Sequence, residues 1–203
     1  TLLVFRLSTS TLGTSVTTML LAGIAISALA GAVNSLLSYF ADNEMLRQIS
    51  VWQMGNLSTA NWTRVSVVAV VAVVVLVLFP RESKSLNALL LGESEARHLG
   101  IDVQRVKKKL ILLTTLGIGT AVAVAGMIGF VGLIVPHMVR LLIGPDHRWL
   151  LPVSALAGGI LLLIADTIAR IIIAPVELPT GILTAILGAP FFIMLLIQQR
   201  REL

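Results

Sequence analysis

The sequence contains no cysteine in its 203 residues. It therefore forms no disulfide, no thiolate metal site and no thiol nucleophile. Charged residues are also scarce, at 12% of the chain against about 25% in an ordinary soluble domain. Hydrophobic residues make up 57% of the chain, and the mean hydropathy is +0.98. This composition is typical of an integral membrane protein.

Familiar catalytic motifs are missing from the sequence as well. It has no glycine-rich phosphate loop ending in Lys and Ser or Thr, and no GxSxG or HExxH pattern. His137 and Arg140 have no second histidine or carboxylate in the same predicted span to complete a metal or acid–base site, which favours a structural role for them. We therefore predict a protein that is not an enzyme, and a partner or a gradient must supply any energy it uses.

Long apolar runs dominate the rest of the chain. A membrane-spanning helix needs about 20 mostly apolar residues, and the sequence predicts six such spans. Their ranges are about 17–40, 64–79, 110–127, a shorter fourth that follows Gly126 and Gly129 and ends near Gly144, 150–170 and 180–197. Runs such as VVAVVAVVVLVLF lack the alternation of barrel strands. The predicted fold is therefore an all-α polytopic membrane bundle.

The longest polar stretch, residues 81–109, separates the second and third predicted spans. Counting Lys and Arg in alternate loops places twelve of the 15 on the side of this stretch, and only Arg47, Arg64 and Arg170 on the other. Because positive residues are enriched in cytoplasmic loops, residues 81–109 and the C-terminus are predicted to be cytoplasmic. The basic residues are spread over several loops, which argues against a nucleic-acid partner.

Residues 81–109 also carry apolar side chains at helical spacing. The stripe consists of Leu86, Leu89, Leu90, Ala96 and Leu99. Gly100 is a natural helix stop, and Asp102 is a candidate N-cap for a second short helix. Two short amphipathic helices of this kind suit the groove of a soluble partner. A solvated connector is the alternative, and the surplus of leucine favours docking.

Small residues recur at helical spacing in the first span, where Gly23, Ser27 and Gly31 lie four apart. Close packing between helices is favoured over a pore lining for such a stripe. In the loop that follows, residues 43–54 fit a short helix at the outer mouth of a pathway. Trp52 and Trp62 are typical of anchors at a membrane boundary.

Asp166 and Arg170 lie four residues apart near the outer end of the fifth span, so they share a helix face. A local ion pair would lower the cost of two charges near the membrane edge. Alternatively, Arg170 faces outward to meet an acidic group on a partner. The residues alone fit both interpretations equally.

Several motifs, taken together, resemble a known family. They are LNALLLGESEARHLGI, GFVGLIVPHMVRLLIGPDHRWLLPVSALAGG, ADTIAR and ELPTGILTAILGAPFFIMLL, and the likeness extends from about residue 7 to residue 196. They closely resemble the permease subunits of bacterial ABC importers for iron–siderophores, haem and cobalamin. By this analogy, residues 1–203 are the C-terminal part of one transmembrane permease domain, with six spans present of about ten in a type II importer bundle. Coupling helices are expected at about 81–108.

The resemblance also implies an activity and a set of partners. The chain would be a multi-pass permease of the bacterial inner membrane that moves haem or an iron–siderophore complex from periplasm to cytoplasm. It would act as a homodimer in membrane lipid, with two cytoplasmic ATPase subunits that bind the ATP and a periplasmic substrate-binding protein. This chain would bind no cofactor or metal. A cobalamin permease is the alternative, and a gradient-driven secondary transporter is the rival from another class.

The resemblance assigns roles to individual positions. Arg170 would meet a glutamate of the binding protein. The ATPase-coupling set would be Leu86, Leu89, Leu90, Gly92, Glu93, Ala96, Leu99 and Gly100. The pathway and its gate would be bordered by Gly23, Ser27, Gly31, Asn34 and Trp52.

The loop after the first span bears on the substrate. The stretch FADNEMLRQISVWQMGNLSTANW looks more like the haem permeases than the cobalamin permease. Asn56 stands where Ser or Gly is expected, which leaves siderophore specificity open.

Overall fold

The fold is helical over nearly all of the chain that the structure, a computed structural model, describes: residues 9–10, 13–14 and 16–201. The exception is one short antiparallel ladder between β1 (Thr9–Ser10) and β2 (Gly13–Thr14). The helices in chain order are α1 (Val16–Phe40), α2 (Asn43–Gln53), α3 (Trp62–Leu78), a 3₁₀ turn (Pro80–Glu82), α4 (Ser83–Leu89), α5 (Glu93–His98), α6 (Val103–Ala125), α7 (Val131–Ile143), α8 (His147–Ile171) and α9 (Thr180–Arg201).

Four helices are long and apolar enough to cross a membrane, in the described part of the chain. They are Leu20–Phe40, Trp62–Leu89, Val103–Ala125 and His147–Ile171, and two shorter apolar helices are Val131–Ile143 and Thr180–Leu195. All six predicted spans are therefore helices. The prediction of an all-α membrane bundle is confirmed.

Side-chain caps explain where several helices begin. The Asp42 carboxylate accepts the backbone N–H of Met45 at 2.8 Å at the start of α2. Asn61 does the same for α3. Such caps satisfy backbone donors that the first helical turn leaves without partners. The short helix predicted at residues 43–54 is confirmed as α2.

The start of α6 corrects a predicted boundary. The Asp102 carboxylate accepts the N–H of Arg105 at 3.1 Å, so its N-cap role is confirmed. The helix that it begins is no short segment, however, because α6 runs without a break for 23 residues to Ala125. The third span was predicted to start near residue 110, because the lysines at 107–109 lower the local hydropathy. The polar first residues of a spanning helix can lie in water, outside the hydrophobic layer of the membrane.

Packing is concentrated among the later helices. α7 lies along α8, α9 contacts both of them, and α3 lies along α6. A cluster of Val135, Val139 and Leu150 is buried between α7 and α8. In contrast, α1 contacts mainly α2 among the described elements, and most of its side chains are exposed. A Cβ added at Gly23 or Gly31 would meet nothing within 4 Å, so the small-residue stripe packs against no described residue.

Candidate functional site: docking surfaces at the two ends of the helices

One end of the bundle, here called the charged end, consists of residues 80–109 and 144–148. Its two short helices, α4 and α5, fold around a small core of Ala88, Ala96 and Val103. Ala96 is fully buried in this core. The first turn of α6 thus supplies a wall against which the two short helices pack, which gives the polar stretch a defined shape.

Glycines with positive φ separate these elements. Gly92 has a φ of +107° between α4 and α5, and Gly100 has a φ of +80° after α5. Residues with a Cβ avoid this region of backbone space. After Gly100 the N–H of Ile101 donates to the carbonyl of Ala96 at 3.1 Å, an arrangement common at helix C-termini. The predicted helix stop at Gly100 is confirmed.

Two ion pairs join the short helices to α6. Lys107 Nζ lies 2.5 Å from Glu93 Oε1, and Lys109 Nζ lies 3.0 Å from Glu82 Oε1. Both pairs are partly exposed, so each stabilises the contact by only about 1 kcal/mol or less. Together they fix the orientation of the helices against α6.

A third link, here called the Asn87 clasp, joins α4 to the start of α8. The Asn87 side-chain amide donates to Asp146 Oδ1 at 2.6 Å, and its carbonyl oxygen accepts the backbone N–H of His147 at 2.8 Å. Asp146 Oδ1 also accepts the N–H of Arg148 at 2.9 Å, which caps α8. The Arg148 backbone N–H, followed by the Asn87 amide, holds the pKa of Asp146 below its usual range. The clasp therefore favours an ionised carboxylate at the helix start.

Three leucines project from the charged end into solvent. Leu90, Leu91 and Leu99 are 52%, 66% and 63% exposed, and we call them the leucine patch. Leu90 and Leu91 lie in the turn that ends α4, and Leu99 follows α5. Exposed leucines at the polar end of the bundle are candidates for a surface that a partner covers.

The structure divides the predicted ATPase-coupling residues into two groups. Leu90, Gly92, Glu93, Leu99 and Gly100 are exposed, as a docking surface requires. Ala96 is buried, and Leu86 and Leu89 are half-buried, so these three support the surface from beneath. Leu91 was missed because the helical spacing assumed one continuous stripe, whereas the chain turns between α4 and α5.

The opposite end, here called the glycine end, consists of residues 52–61, 126–130 and 170–181. Backbone groups approach directly there. The N–H of Asn56 donates to the Ala125 carbonyl at 2.8 Å, and the N–H of Gly181 donates to the Gly55 carbonyl at 3.0 Å. A Cβ added at Gly126 would overlap the Trp52 carbonyl oxygen, and one at Gly181 would overlap that of Met54. Glycine is therefore required at positions 126 and 181, where the chain meets the backbone of Trp52 and Met54.

A cavity of about 680 Å³ opens beside this junction. Its lining includes Asn34 of α1, Arg47 and Trp52 of α2, and Arg64 of α3. The structure thus brings together two of the residues expected at the pathway gate, Asn34 and Trp52. The other three, Gly23, Ser27 and Gly31, lie nearer the middle of α1 and do not line this cavity.

Arg170 lies in a compact polar cluster at the end of α8. Its Nε lies 2.7 Å from Asp166 Oδ2, and its Nη1 lies 3.9 Å from Glu177 Oε1. Thr180, which is fully buried, donates its hydroxyl to Asp166 Oδ1 at 2.9 Å. The local ion pair is confirmed. The Arg170 side chain nevertheless stays 44% exposed, so pairing with Asp166 does not prevent it from meeting a partner.

These features define a class of protein: a multi-pass membrane protein of apolar helices, with a shaped polar end and an arginine cluster at the other end. The FecCD transport family signature matches residues 1–198, and the chain belongs to this family. The resemblance found from its motifs is confirmed.

Relatives and a solved structure support this assignment. The chain is 49% identical over 184 residues to the hemin transport system permease protein of Yersinia pestis, covering 91% of this chain and 55% of the relative. It is 47% identical over 182 residues to the vitamin B12 import system permease protein of Vibrio cholerae, covering 89% and 54%. The chain thus spans about half the length of these curated relatives.

The structural likeness covers the same region. A solved structure described as an inward-facing conformation of an ABC transporter of metal-chelate type superposes with a TM-score of 0.88 at 36% identity. It covers 97% of this chain and 63% of that one.

Proposed function

We propose that this chain is a membrane-spanning part of the permease of an ATP-driven importer. This importer carries haem or an iron–siderophore complex from periplasm to cytoplasm. In this proposal two copies form the pathway in a bacterial inner membrane, and the C-terminus is cytoplasmic. Two cytoplasmic ATPase subunits and a periplasmic binding protein complete the assembly. The chain itself performs no catalysis.

The leucine patch is the observation that carries this proposal. Leu90, Leu91 and Leu99 lie at the polar end of the bundle, and their exposure is unfavourable unless a partner covers them. The helices that present them are braced by Lys107–Glu93, by Lys109–Glu82 and by the Asn87 clasp. An apolar surface that is held in place by such links suits a partner that must transmit a movement as well as bind.

The sequence bears on the energy source. These 203 residues contain no phosphate-binding loop, which supports the assignment of ATP hydrolysis to a separate subunit. A gradient-driven transporter would carry ionisable groups deep within its spans. Asp166 lies only five residues before the end of α8 and is paired with Arg170.

Arg170 supports the proposed contact with the binding protein. It lies at the end of α8 opposite the leucine patch, and its guanidinium is already oriented by Asp166. An oriented and partly exposed arginine loses little side-chain entropy when a carboxylate of a partner arrives. The position is therefore suited to capture of a loaded binding protein.

Haem is the first substrate to test, because the loop after α1 looks more like the haem permeases than the cobalamin permease, and the Yersinia pestis relative is a hemin permease. Cobalamin is the second candidate, because the Vibrio cholerae relative is a vitamin B12 permease of nearly equal identity.

Reconstitution tests the proposal. The full-length protein is placed in proteoliposomes with its ATPase, and uptake of haem is measured with the loaded binding protein outside. We expect uptake that requires ATP and persists when the proton gradient is collapsed. Uptake that continues without ATP and stops with the gradient would overturn the proposal. Uptake of cobalamin but not haem would replace the substrate and retain the mechanism.

A further inference from the structure

The Asn87 clasp joins the short helices to one particular span. α4 contacts α8, and Asn87 links the two helices with hydrogen bonds to Asp146 and His147. The Asn87 oxygen also lies 2.8 Å from His147 Nδ1. All polar atoms of the Asn87 side chain are thus directed at residues 146–147, which lie 59 and 60 positions later in the sequence.

The helix that starts at this clasp ends at the Arg170 cluster. α8 is continuous over 25 residues, a length of roughly 37 Å. Its far end is held by Asp166, which bonds both Arg170 and the buried Thr180. One continuous helix, with Pro152 inside it, therefore carries a polar contact at each end, and each contact involves a surface proposed to meet a different partner.

The ion pairs of the short helices take a different route. Lys107 and Lys109 both belong to α6, and α6 ends at the glycine junction with α2, not at Arg170. The 3₁₀ turn, α4 and α5 are therefore joined to α6 by Lys107 and Lys109 and to α8 by Asn87. Helices with discrete contacts at both ends can transmit a movement from one end of the bundle to the other.

We propose that Asn87 is a positioning residue that links the ATPase-docking helices to α8, so that occupancy of the Arg170 surface changes ATP hydrolysis at the opposite end. This inference rests on the proposed function. It adds that coupling runs along α8 and depends on the hydrogen bonds of Asn87. It predicts that coupling fails when those bonds are lost, even where the complex assembles.

In the clasp Asn87 donates and Asp146 accepts. Exchanging the amide and the carboxylate between these two positions therefore tests whether the bond itself matters. In Asn87→Asp, two carboxylates face each other across the 2.6 Å contact, so the bond to Asp146 is lost. In Asp146→Asn, the amide oxygen can still cap α8 and accept from Asn87. In the double variant, an amide at position 146 can donate to a carboxylate at position 87, which re-forms this one link with donor and acceptor exchanged. The Asp146 oxygen that accepts from Asn87 also accepts from Arg148, so the exchanged amide gives up the Arg148 cap and only the link to α4 is restored.

The readout is the ratio of ATPase activity with and without loaded binding protein, measured on the full-length complex in nanodiscs. Coupling energies of this kind change a response by about fivefold or more. We therefore expect Asn87→Asp to lower the ratio about fivefold, Asp146→Asn to change it little, and the double variant to restore it. Glu82→Gln removes the ion pair with Lys109 of α6 and leaves an amide oxygen that can still accept from Ser85; it is the matched control and should keep the ratio.

Two results would overturn the inference: a double variant that remains as impaired as Asn87→Asp, or a Glu82→Gln ratio that falls by the same factor. A second measurement applies even where a variant assembles poorly or the wild type shows no stimulation. Hydrogen exchange of the His147 amide, which donates to the Asn87 side chain, should be faster in Asn87→Asp in the full-length protein alone and return toward the wild-type rate in the double variant. Unchanged exchange in Asn87→Asp contradicts the clasp itself, whereas an unstimulated wild type with the expected exchange pattern contradicts the proposed function.

Discussion

The two ends of the bundle are held together by different kinds of contact. At the charged end, side chains make the links: Lys107 with Glu93, Lys109 with Glu82, and Asn87 with Asp146. At the glycine end, the backbone around Gly55 meets the backbone around Gly126 and Gly181. Side chains of the charged end are exposed and can exchange partners with water. The backbone contacts of the glycine end have no alternative geometry that keeps the segments together.

This difference indicates that the two ends of the helices respond differently to a movement. A joint made of exposed ion pairs, each contributing about 1 kcal/mol or less, can shift without unfolding. Segments that are held by close backbone contacts must move together or come apart. The charged end is therefore the adjustable one, and α2 should stay attached to α6 and α9 while the charged end moves.

The largest expected effect is the destabilisation caused by Gly126→Ala. The new Cβ would overlap the Trp52 carbonyl oxygen at a residue with a φ of +74°, and backbone strain and overpacking together cost about 3 kcal/mol or more. The thermal unfolding temperature of the full-length protein in detergent measures this loss. Gly119→Ala is the control, because that site in the same helix is open. Equal melting of the two variants would contradict the close backbone contact at Gly126.

Arg170→Glu tests the other feature of the glycine end. Inverting the charge places a third carboxylate beside Asp166 and Glu177 and removes the cation offered to the binding protein. We expect affinity for the loaded binding protein to fall about thirtyfold, or ~2 kcal/mol. Surface plasmon resonance on nanodiscs measures it.

The matched control for Arg170 is Arg64→Glu. Arg64 bonds the carbonyl and hydroxyl of Thr59 at the same end of the bundle but lies on α3. An equal loss of affinity in both variants would mean that the end acts as a general positive surface, and the specific role of Arg170 would be wrong.

A smaller effect is expected at the charged end from Gly100→Leu. At a φ of +80° a side chain costs about 1–2 kcal/mol, and the strain displaces Leu99 from the leucine patch. Co-purification of the ATPase subunit should fall. Gly100→Asn serves as the comparison, because asparagine tolerates positive φ better and should retain more of the subunit. A normally assembled Gly100→Leu complex would count against a docking role for this turn.

The smallest expected effect is a loss of stability at low pH, caused by protonation of Asp146. Its folded pKa lies below the ordinary value of 3.8, so its contribution to stability is present above that value and is lost as pH falls through the lower folded pKa. The melting temperature of the wild type should therefore fall more steeply below about pH 4 than that of Asp146→Asn. Parallel curves for the two proteins would show that the cap does not titrate as described.

Local signals in the sequence predicted much of the fold. The apolar run of α1, the cap at Asp102 and the stop at Gly100 are each encoded within a few neighbouring residues. α6 begins at Val103, before the predicted start of the third span near residue 110, because hydropathy detects the membrane boundary and not the helix boundary. A charged first turn such as Val103–Lys109 belongs to the helix while lying outside the apolar layer.

The contacts that shape the candidate site could not be predicted in this way. Asn87 meets Asp146 across 59 positions, and Gly126 meets Trp52 across two spans and the short helices between them. Neither pair leaves a periodic or spacing signal, because each depends on how whole helices are arranged. The family resemblance pointed to the region of residues 86–100, and only the structure separates the exposed Leu91 from the buried Ala96.

The length of α7 has a consequence for how the protein is made. Its 13 residues extend only about 20 Å, short of the roughly 30 Å of the hydrocarbon layer. The helix also carries Pro136 and Arg140, so it is a poor candidate for insertion by itself. It buries Val135 and Val139 against Leu150 of α8. During synthesis, α7 should therefore wait at the translocon and enter the bilayer together with α8 as a preformed hairpin.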